Sequence, residues 1–456
     1  MHGGGSTIKD SSKNILGDPK KAIFMMSFPI ALALLVQYLN SIVDMFWVSG
    51  LGADALAAVS IVTPIYSVII SIGNGIGIGA SYAISKLIGA RDKRSASQAS
   101  SQALVLTLMA GVLSIIVLMV IVKPLMIYMG AESILVLCIN YAYPVIIASP
   151  LLMMGGIFAG CLRGEGAANR AFIILGIAAV FNMILDPILI YWLGMGIAGA
   201  AYATVLSAAI SMIPVVYWYL IKKDVLIPII LKGFRFLRKE IRSISEVGLP
   251  QTIELVFMSL MSVFFVRSIS QAGGTDLVAV FEITWRIALI LMVPAQAIGT
   301  ALVPILSASF GMNDKNRVNN TFNYGLKVSV IIMIVLAVLT FLLAPYIAQF
   351  MTLSEDSIML RSSIREMLIV CTLFFPAFSL IHASASLLQS MGHGITSLIL
   401  TVVRNAAIAA IYAVLSVYSV ASYMWWGMTI GEIVFGILAL LIAVLIFKKY
   451  RVSETI

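Results

Sequence analysis

Two aspartates interrupt long apolar stretches of this sequence. Asp44 lies in the run NSIVDMFWV, and Asp186 lies in the run FNMILDPILIYW, where Pro187 follows it. Asn40 and Asn182 each stand four residues before an aspartate, so amide and carboxylate share one helix face. A charge near the bilayer centre costs at least ~2.5 kcal/mol and normally faces a partner or a watery cavity. The pattern predicts a site for a proton or a cation.

Tyr141 and Thr204 can join the same polar layer. Both lie about seven residues from the outer ends of their predicted helices, and the two aspartates lie roughly 9 Å below the outer surface at about 1.5 Å per residue. Carboxylate, amide, hydroxyl and phenol oxygens suit a proton or a hard cation such as Na+. We therefore expect no transition metal and no other cofactor.

Pro187 gives this layer a second feature. It has no N–H, so the carbonyl of Met183 one turn earlier loses its helical partner. Backbone groups freed in this way are tolerated in membranes where they line a cavity. We expect Met183, Asn40 and Pro29 to line such a cavity.

Further charges lie within apolar stretches of the second half. Glu282 and Arg286 are four residues apart on one helix, so they either line the cavity or neutralise each other as an ion pair. Glu254, Arg404 and Glu432 line either the second half of a pathway or an interface between the halves.

The elements that must position these residues are membrane helices. Of the 456 residues, 61% are hydrophobic and 11% are charged, whereas soluble domains contain roughly 25% charged residues. Apolar stretches of about 20 residues are long enough to cross a bilayer as helices. We predict an all-α membrane protein whose twelve transmembrane helices lie near residues 22–48, 55–85, 99–127, 134–160, 172–192, 197–221, 246–270, 277–310, 321–348, 361–388, 395–420 and 424–447.

The distribution of Lys and Arg tests this count, because cytoplasmic loops carry the positive charge. Basic residues cluster before span 1, in alternate loops, in the central linker and after span 12, and only Lys123, Arg361 and Arg365 occupy the opposite loops. This topology explains the net charge of +9 without a nucleic-acid partner. We expect a multi-pass protein of the cell (plasma) membrane with both termini in the cytoplasm.

The two halves of the sequence are alike. SFPIALALL (27–35) opens span 1 as GLPQTIELV (248–256) opens span 7, and parallel repeats of this kind are typical of transporters. The predicted organisation is a tag remnant and flexible N-terminus at 1–16, an N-terminal six-helix bundle at 17–221, a cytoplasmic linker at 222–245, a C-terminal six-helix bundle at 246–447 and a cytoplasmic tail at 448–456.

Catalytic motifs are missing from the sequence. GNGIGIGAS (73–81) lies within a predicted span without a Walker lysine, so it indicates close helix packing rather than phosphate binding. His382 and His393 form no HExxH motif, and there is no GxSxG. We therefore expect that the protein is not an enzyme.

Three segments carry a resemblance to a known family. NSIVDMFWVSGLGADALAAVS (40–60), RGEGAANRA (163–171) and FNMILDPILIYWLGMGIAGAAYAT (181–204) resemble MATE (multidrug and toxic compound extrusion) transporters of the prokaryotic DinF-type branch found in archaea. The resemblance implies two pseudo-symmetric six-helix bundles in the V-shaped MATE fold. It also implies exchange of H+ or Na+ for organic, often cationic, compounds. Relatives commonly carry a tyrosine where this chain has Asn40. The cation-coupling residues implied are Asp44, Asn182, Asp186, Tyr141 and Thr204.

These observations predict a secondary-active multidrug efflux antiporter that moves a small organic substrate across the lipid bilayer as a monomer. An alternative is a flippase for a lipid or a lipid-linked glycan, whose cleft would need several basic residues to meet a diphosphate. Arg286 and Arg404 are too few for that role. An intramembrane enzyme or a receptor is a remote alternative, because the chain lacks a catalytic cluster and a large soluble domain.

Overall fold

The computed structural model describes residues 5–353, 355–417 and 421–453, and within these ranges the chain forms helices and no strands. A short helix precedes the first bundle, and residues 217–221 close that bundle as a π-helical turn. The helices of the first half are α1 (Gly5–Leu16), α2 (Pro19–Ser49), α3 (Ala53–Gly89), α4 (Lys93–Tyr128), α5 (Leu135–Ile147), α6 (Ser149–Gly164), α7 (Ala168–Pro187), α8 (Gly196–Ser211) and α9 (Ile213–Val216).

The second half is also built of helices, and the first of them is the longest because it joins two helices across a break. The first of them contains a break at Gly273 and Gly274, where Gly274 has a φ of 68°. Glycine tolerates this left-handed conformation because it has no Cβ. The helices are α10 (Arg238–Leu291), α11 (Val293–Gly311), α12 (Lys315–Met351), α13 (Arg361–Thr372), α14 (Phe375–Ser390), α15 (Gly394–Ser416) and α16 (Ala421–Ser453).

The helices are long and apolar enough to cross a membrane. Ten segments of the described chain meet this requirement singly, and the count rises to 12 when each of two bent pairs is taken as one span. The bent pairs are Glu132–Ile147 with Ser149–Gly164, at 53°, and Ile358–Thr372 with Phe375–Ser390, at 49°. The all-helical membrane fold predicted from the sequence is confirmed.

Three boundaries differ from the prediction. The N-terminal segment 1–16 was expected to be flexible, but Gly5–Leu16 is helical, Ile15 is fully buried, and the Asn14 amide donates to the carbonyl of Gly166 at 3.0 Å. The irregular linker covers 222–237 rather than 222–245, because α10 begins at Arg238. The final helix continues to Ser453, past the expected start of the tail at 448.

The chain divides into two compact units. One runs as far as Val256 and takes in Ser307–Asp314, and the other comprises Phe257–Leu306 and the chain from Lys315 onward. The core of the first unit is built around Ile69, Met126 and Met153, which are fully buried. That of the second unit contains Phe374 and Trp425.

Glycines bring the backbones of α3 and α6 together. A Cβ on Gly77 would lie 2.4 Å from the carbonyl oxygen of Gly156, and one on Gly160 would lie 2.1 Å from the carbonyl oxygen of Gly77. Such distances exclude any side chain, so small residues allow the close approach. The packing role predicted for the GNGIGIGAS segment is confirmed.

Candidate functional site

The two aspartates predicted to share a depth lie on adjacent helices, α2 and α7. The carboxyl groups of Asp44 and Asp186 lie close enough to share a hydrogen bond when one of them is protonated. Asp186 is 2% exposed, whereas Asp44 is half-buried. Two buried carboxyl groups this close together are stabilised when one of them binds a proton or a cation.

Two amides connect the carboxyl groups. Asn40 Nδ2 donates to Asp44 Oδ2 at 3.2 Å and to Asn182 Oδ1 at 2.9 Å. Asn182 Nδ2 donates to Asp186 Oδ1 at 3.4 Å, and with its amide turned over it donates instead to Asp44 Oδ1 at 3.0 Å. In either orientation Asn182 is bonded to one carboxylate, so the four residues form one polar cluster between α2 and α7.

One oxygen of this cluster lacks a partner. Asp186 Oδ2 is buried and accepts no hydrogen bond from any residue that the structure describes. A buried carboxylate oxygen left unpaired is costly, and the cost is removed if that oxygen carries a proton or contacts a cation.

The local structure of α7 positions its aspartate. Pro187 has no N–H for the carbonyl of Met183, and the regular helix gives way to a π-helical turn at Ile188–Trp192. Single π turns within helices are frequent at functional sites. On this turn, the hydroxyl of Tyr191 donates to the carbonyl of Trp47 at 2.5 Å and so joins the outer ends of α7 and α2.

The phenols of Tyr141 and Tyr66 lie within electrostatic range of Asp44. Tyr141 is one of the residues predicted to couple the cation. Tyr66, on α3, was missed because the charged residues of that helix, Asp54 and Lys86, lie near its two ends, and spacing along the chain does not show that Tyr66 faces this cluster. Thr204 is not bonded to either carboxylate, since its hydroxyl donates to the carbonyl of Ala200 at 3.1 Å.

A polar cavity of about 140 Å³ adjoins the cluster within the first unit. None of its lining residues is charged. From the cluster, the cavity extends toward the end of the unit that carries the basic loops. Pro29 is buried in α2 and Met183 is half-buried in α7, and neither lines this cavity. Its polar lining comprises Gln37, Asn40, Tyr66, Asn74, Asn182, Thr204, Ser207 and Ser211.

Glu282 and Arg286 lie in the second unit, whereas the aspartate cluster belongs to the first. Their charged groups are 3.8 Å apart, and both side chains are more than two-fifths exposed. This geometry corresponds to the self-neutralising pair that was one of the two interpretations of their spacing.

Arg404 and Glu432 form a second ion pair, which the sequence did not predict as a pair. Arg404 Nη1 lies 3.5 Å from Glu432 Oε2, and the side chains are 8% and 10% exposed. Within the described part of the chain, no group of three or more His, Cys, Asp or Glu residues could hold a metal ion.

The membrane fold and the acidic cluster can now be compared with known proteins. The MatE family model matches residues 29–188 and 250–415, more than half of the chain. The protein is a member of the MATE family. Like its relatives it is a membrane transporter and not an enzyme.

Relatives of this MATE protein cover most of its length. The probable multidrug resistance protein YoeA of Bacillus subtilis (strain 168) is 26% identical over 348 residues, 74% of each chain. The multidrug export protein MepA of Staphylococcus aureus (strain MSSA476) is 21% identical over 437 residues, 95% of this chain and 96% of MepA. A crystal structure of a MATE protein in complex with MaL6 is 32% identical and matches with a TM-score of 0.93, covering 97% of this chain and 99% of that one.

Proposed function

We propose that this MATE protein is a secondary-active exporter that exchanges H+ or Na+ for small organic, often cationic, compounds. The observation that carries the proposal is the close pair of Asp44 and Asp186, joined through Asn40 and Asn182, with one buried oxygen unpaired. The names of YoeA and MepA, which describe multidrug resistance and export, support the substrate class. Asp44, Asn182 and Asp186 bind the coupling ion, and Tyr141 and Thr204 complete the surrounding polar layer.

The Asn182 amide links the ionic state of the pair to its geometry. It donates to Asp186 in one orientation and to Asp44 in the other. An amide nitrogen donates to an ionised carboxylate, whereas a protonated carboxyl can donate to the amide oxygen. Moving the positive charge from one aspartate to the other would therefore change the hydrogen bonds of Asn182 that hold α2 to α7.

The adjoining cavity is the proposed substrate site. Its volume of about 140 Å³ is below the roughly 300 Å³ of a drug-sized pocket. A change in the α2 to α7 contacts, with α2 repacking near Pro29, would alter this volume and would couple ion binding to substrate release. The uncharged lining favours an organic compound over a lipid diphosphate, which requires basic residues.

We further infer the branch, location and assembly of the protein. The segments 40–60 and 181–204 favour the DinF-type, archaeal-like branch. The basic loops favour a plasma-membrane protein with both termini in the cytoplasm. The chain contributes the complete aspartate cluster by itself, and this supports a functional monomer.

The test is efflux of a fluorescent organic cation from proteoliposomes under an imposed H+ or Na+ gradient. We expect efflux to respond to one of the gradients and to fall to the background level in Asp186→Asn. Asp54→Asn is the matched control, because this exposed aspartate lies at the start of α3 outside the cluster. Efflux that is indifferent to both gradients would refute ion coupling, and a fully active Asp186→Asn would refute the site.

A further inference from the structure

The linker between the sixth and seventh spans, residues 222–237, is fixed to α4 by hydrogen bonds to its backbone. Ser101 Oγ accepts the N–H of Ile230 at 2.9 Å, and Gln102 Nε2 donates to the carbonyl of Arg235 at 2.6 Å. The linker has no regular secondary structure of its own, so these bonds satisfy backbone groups that would otherwise need water. They also fix the path of the linker along α4.

The same bonds set the depth of the linker relative to the membrane. α4 begins at Lys93, and Gln102 lies nine residues further on, about 14 Å along the helix axis at 1.5 Å per residue. The sequence predicts that this helix enters the bilayer near residue 99. The backbone around Arg235 is therefore held at the membrane interface and not in open water.

Three large apolar side chains of the linker face outward at this depth. Ile230 is 56% exposed, Leu231 is 52% exposed and Phe236 is 61% exposed. The ring of Phe234, which is half-buried, meets that of Phe236 edge-on at 5.2 Å and so supports its position. Apolar side chains that project from an interfacial segment enter the boundary between headgroups and acyl chains. Lipid, rather than water, therefore covers these three side chains.

Basic side chains alternate with the apolar ones. Lys232, Arg235 and Arg238 are all exposed. None of the three forms an ion pair with a residue in the described part of the chain. Their charges are therefore available to an anionic group outside the protein.

A surface cleft beside the linker adds to this positive charge. It has a volume of about 500 Å³ and is lined by Arg238, Lys239, Arg242, Ser243 and Glu246. Arg242 Nε is paired with Glu246 Oε1 at 3.0 Å, so these two charges offset each other. Arg238 and Lys239 leave the cleft positive, which suits a phosphate group.

We propose that the linker and the first turns of α10 form a binding surface for anionic phospholipids of the leaflet beside the basic loops. The phosphate and the acidic headgroup contact Lys232, Arg235 and the cleft, and the upper acyl chain covers Leu231 and Phe236. Basic clusters at the end of a membrane span attract anionic lipids in this way. A nucleic acid or an acidic protein would meet the charges but would leave the apolar side chains uncovered, and this favours lipid as the occupant.

Photocrosslinking of the full protein in lipid vesicles tests this inference. Phe236 is replaced by the photoreactive residue p-benzoylphenylalanine, and the vesicles contain equal amounts of phosphatidylcholine and phosphatidylglycerol. Mass spectrometry of the linker peptide then identifies the attached lipid. We expect lipid adducts in which phosphatidylglycerol exceeds phosphatidylcholine by about fivefold or more. The absence of lipid adducts, or equal amounts of the two adducts, would overturn the proposal.

Two other positions calibrate the measurement. Phe341 is 51% exposed on α12, which carries no Lys or Arg after Lys327, so the same photoreactive residue there should yield both lipids equally. Arg94 is exposed in the first turn of α4, about 12 Å before Gln102, and should yield few lipid adducts. Lipid adducts at Arg94 as abundant as those at Phe236 would show that the linker is not specifically placed at the interface.

Neutralising the basic side chains separates the charge preference from the depth. In the combined variant Lys232→Gln, Arg235→Gln and Arg238→Gln, lipid should still attach at position 236, but the ratio of the two adducts should fall to nearly one. These side chains are exposed, and the bonds that hold the linker to α4 involve its backbone, so the variant should fold. An unchanged ratio would overturn the role of these charges.

A control variant removes the same number of charges elsewhere. Lys13, Lys20 and Lys21 are exposed near the N-terminus, and their replacement by glutamine should leave the adduct ratio at Phe236 at its native value. An equal fall in this variant would show that net charge, and not the linker, selects the lipid. The measurement requires no transport, so its outcome is independent of the exporter proposal.

Discussion

Asn40 Nδ2 on α2 lies 2.9 Å from Asn182 Oδ1 on α7, and the same nitrogen donates to Asp44. One amide therefore joins two helices and one carboxylate in the layer where we place the coupling ion.

Replacement of Asn40 by alanine should weaken the contact between α2 and α7. Two hydrogen bonds are lost, and Asn182 Oδ1 loses its donor, so the unfolding free energy should fall by about 1–3 kcal/mol. Thermal unfolding in detergent measures the change. Ser41→Ala is the control, because Ser41 is exposed and bonds only to its own helix. Equal stability of Asn40→Ala and the native protein would contradict the role given to this amide.

Replacement of Gly77 by alanine should separate α3 from α6. The new Cβ would meet the Gly156 carbonyl oxygen at 2.4 Å, and backbone cannot move aside as a side chain can. We expect the free energy of unfolding to fall by about 1–3 kcal/mol, which is the usual cost of overpacking a core. Gly176→Ala offers a comparison within α7, since its Cβ would meet only Phe172 at 3.6 Å. If both variants unfold at the same temperature as the native protein, the close packing of α3 and α6 does not contribute to stability.

Replacement of either member of the Arg404 and Glu432 pair should destabilise the protein. The remaining charge would be buried without a partner. Arg404→Met and Glu432→Leu should therefore each lower the free energy of unfolding by about 3–5 kcal/mol. The double variant should recover most of this loss because it leaves no buried charge. A double-mutant cycle on unfolding midpoints measures the coupling. Additive losses would show that the two charges do not depend on each other.

Replacement of Glu282 should affect the stability of the protein far less than replacement of Glu432. Its carboxylate is 3.8 Å from Arg286, and the pair is more than two-fifths exposed. Pairs of this spacing contribute about 0.3–0.5 kcal/mol, so Glu282→Gln should change stability by no more than this amount. Ion-driven efflux should also remain at the native rate in the proteoliposome assay. A transport-deficient Glu282→Gln would instead place this residue in the pathway.

Much of the architecture could be predicted because the bilayer imposes strict conditions on a sequence. Apolar length, the alternation of Lys and Arg, and the helical rise together predicted twelve spans and the shared depth of Asp44 and Asp186. The same rules could not place Tyr66, because the sequence gives the spacing of residues along one helix but not the rotation of that helix against its neighbours.

By itself, the sequence determined that the chain is a helical membrane protein and that its charges within the bilayer need partners, since lipid leaves no other solution for polar groups. Only the tertiary structure decided which partners meet. Packing rotates α2 against α7 so that four polar side chains face one another, joins Arg404 to Glu432, and places Ile227 of the connection before α10 against Glu165. These contacts join residues far apart in the chain, and side-chain packing, rather than local pattern, selects among the possible pairings.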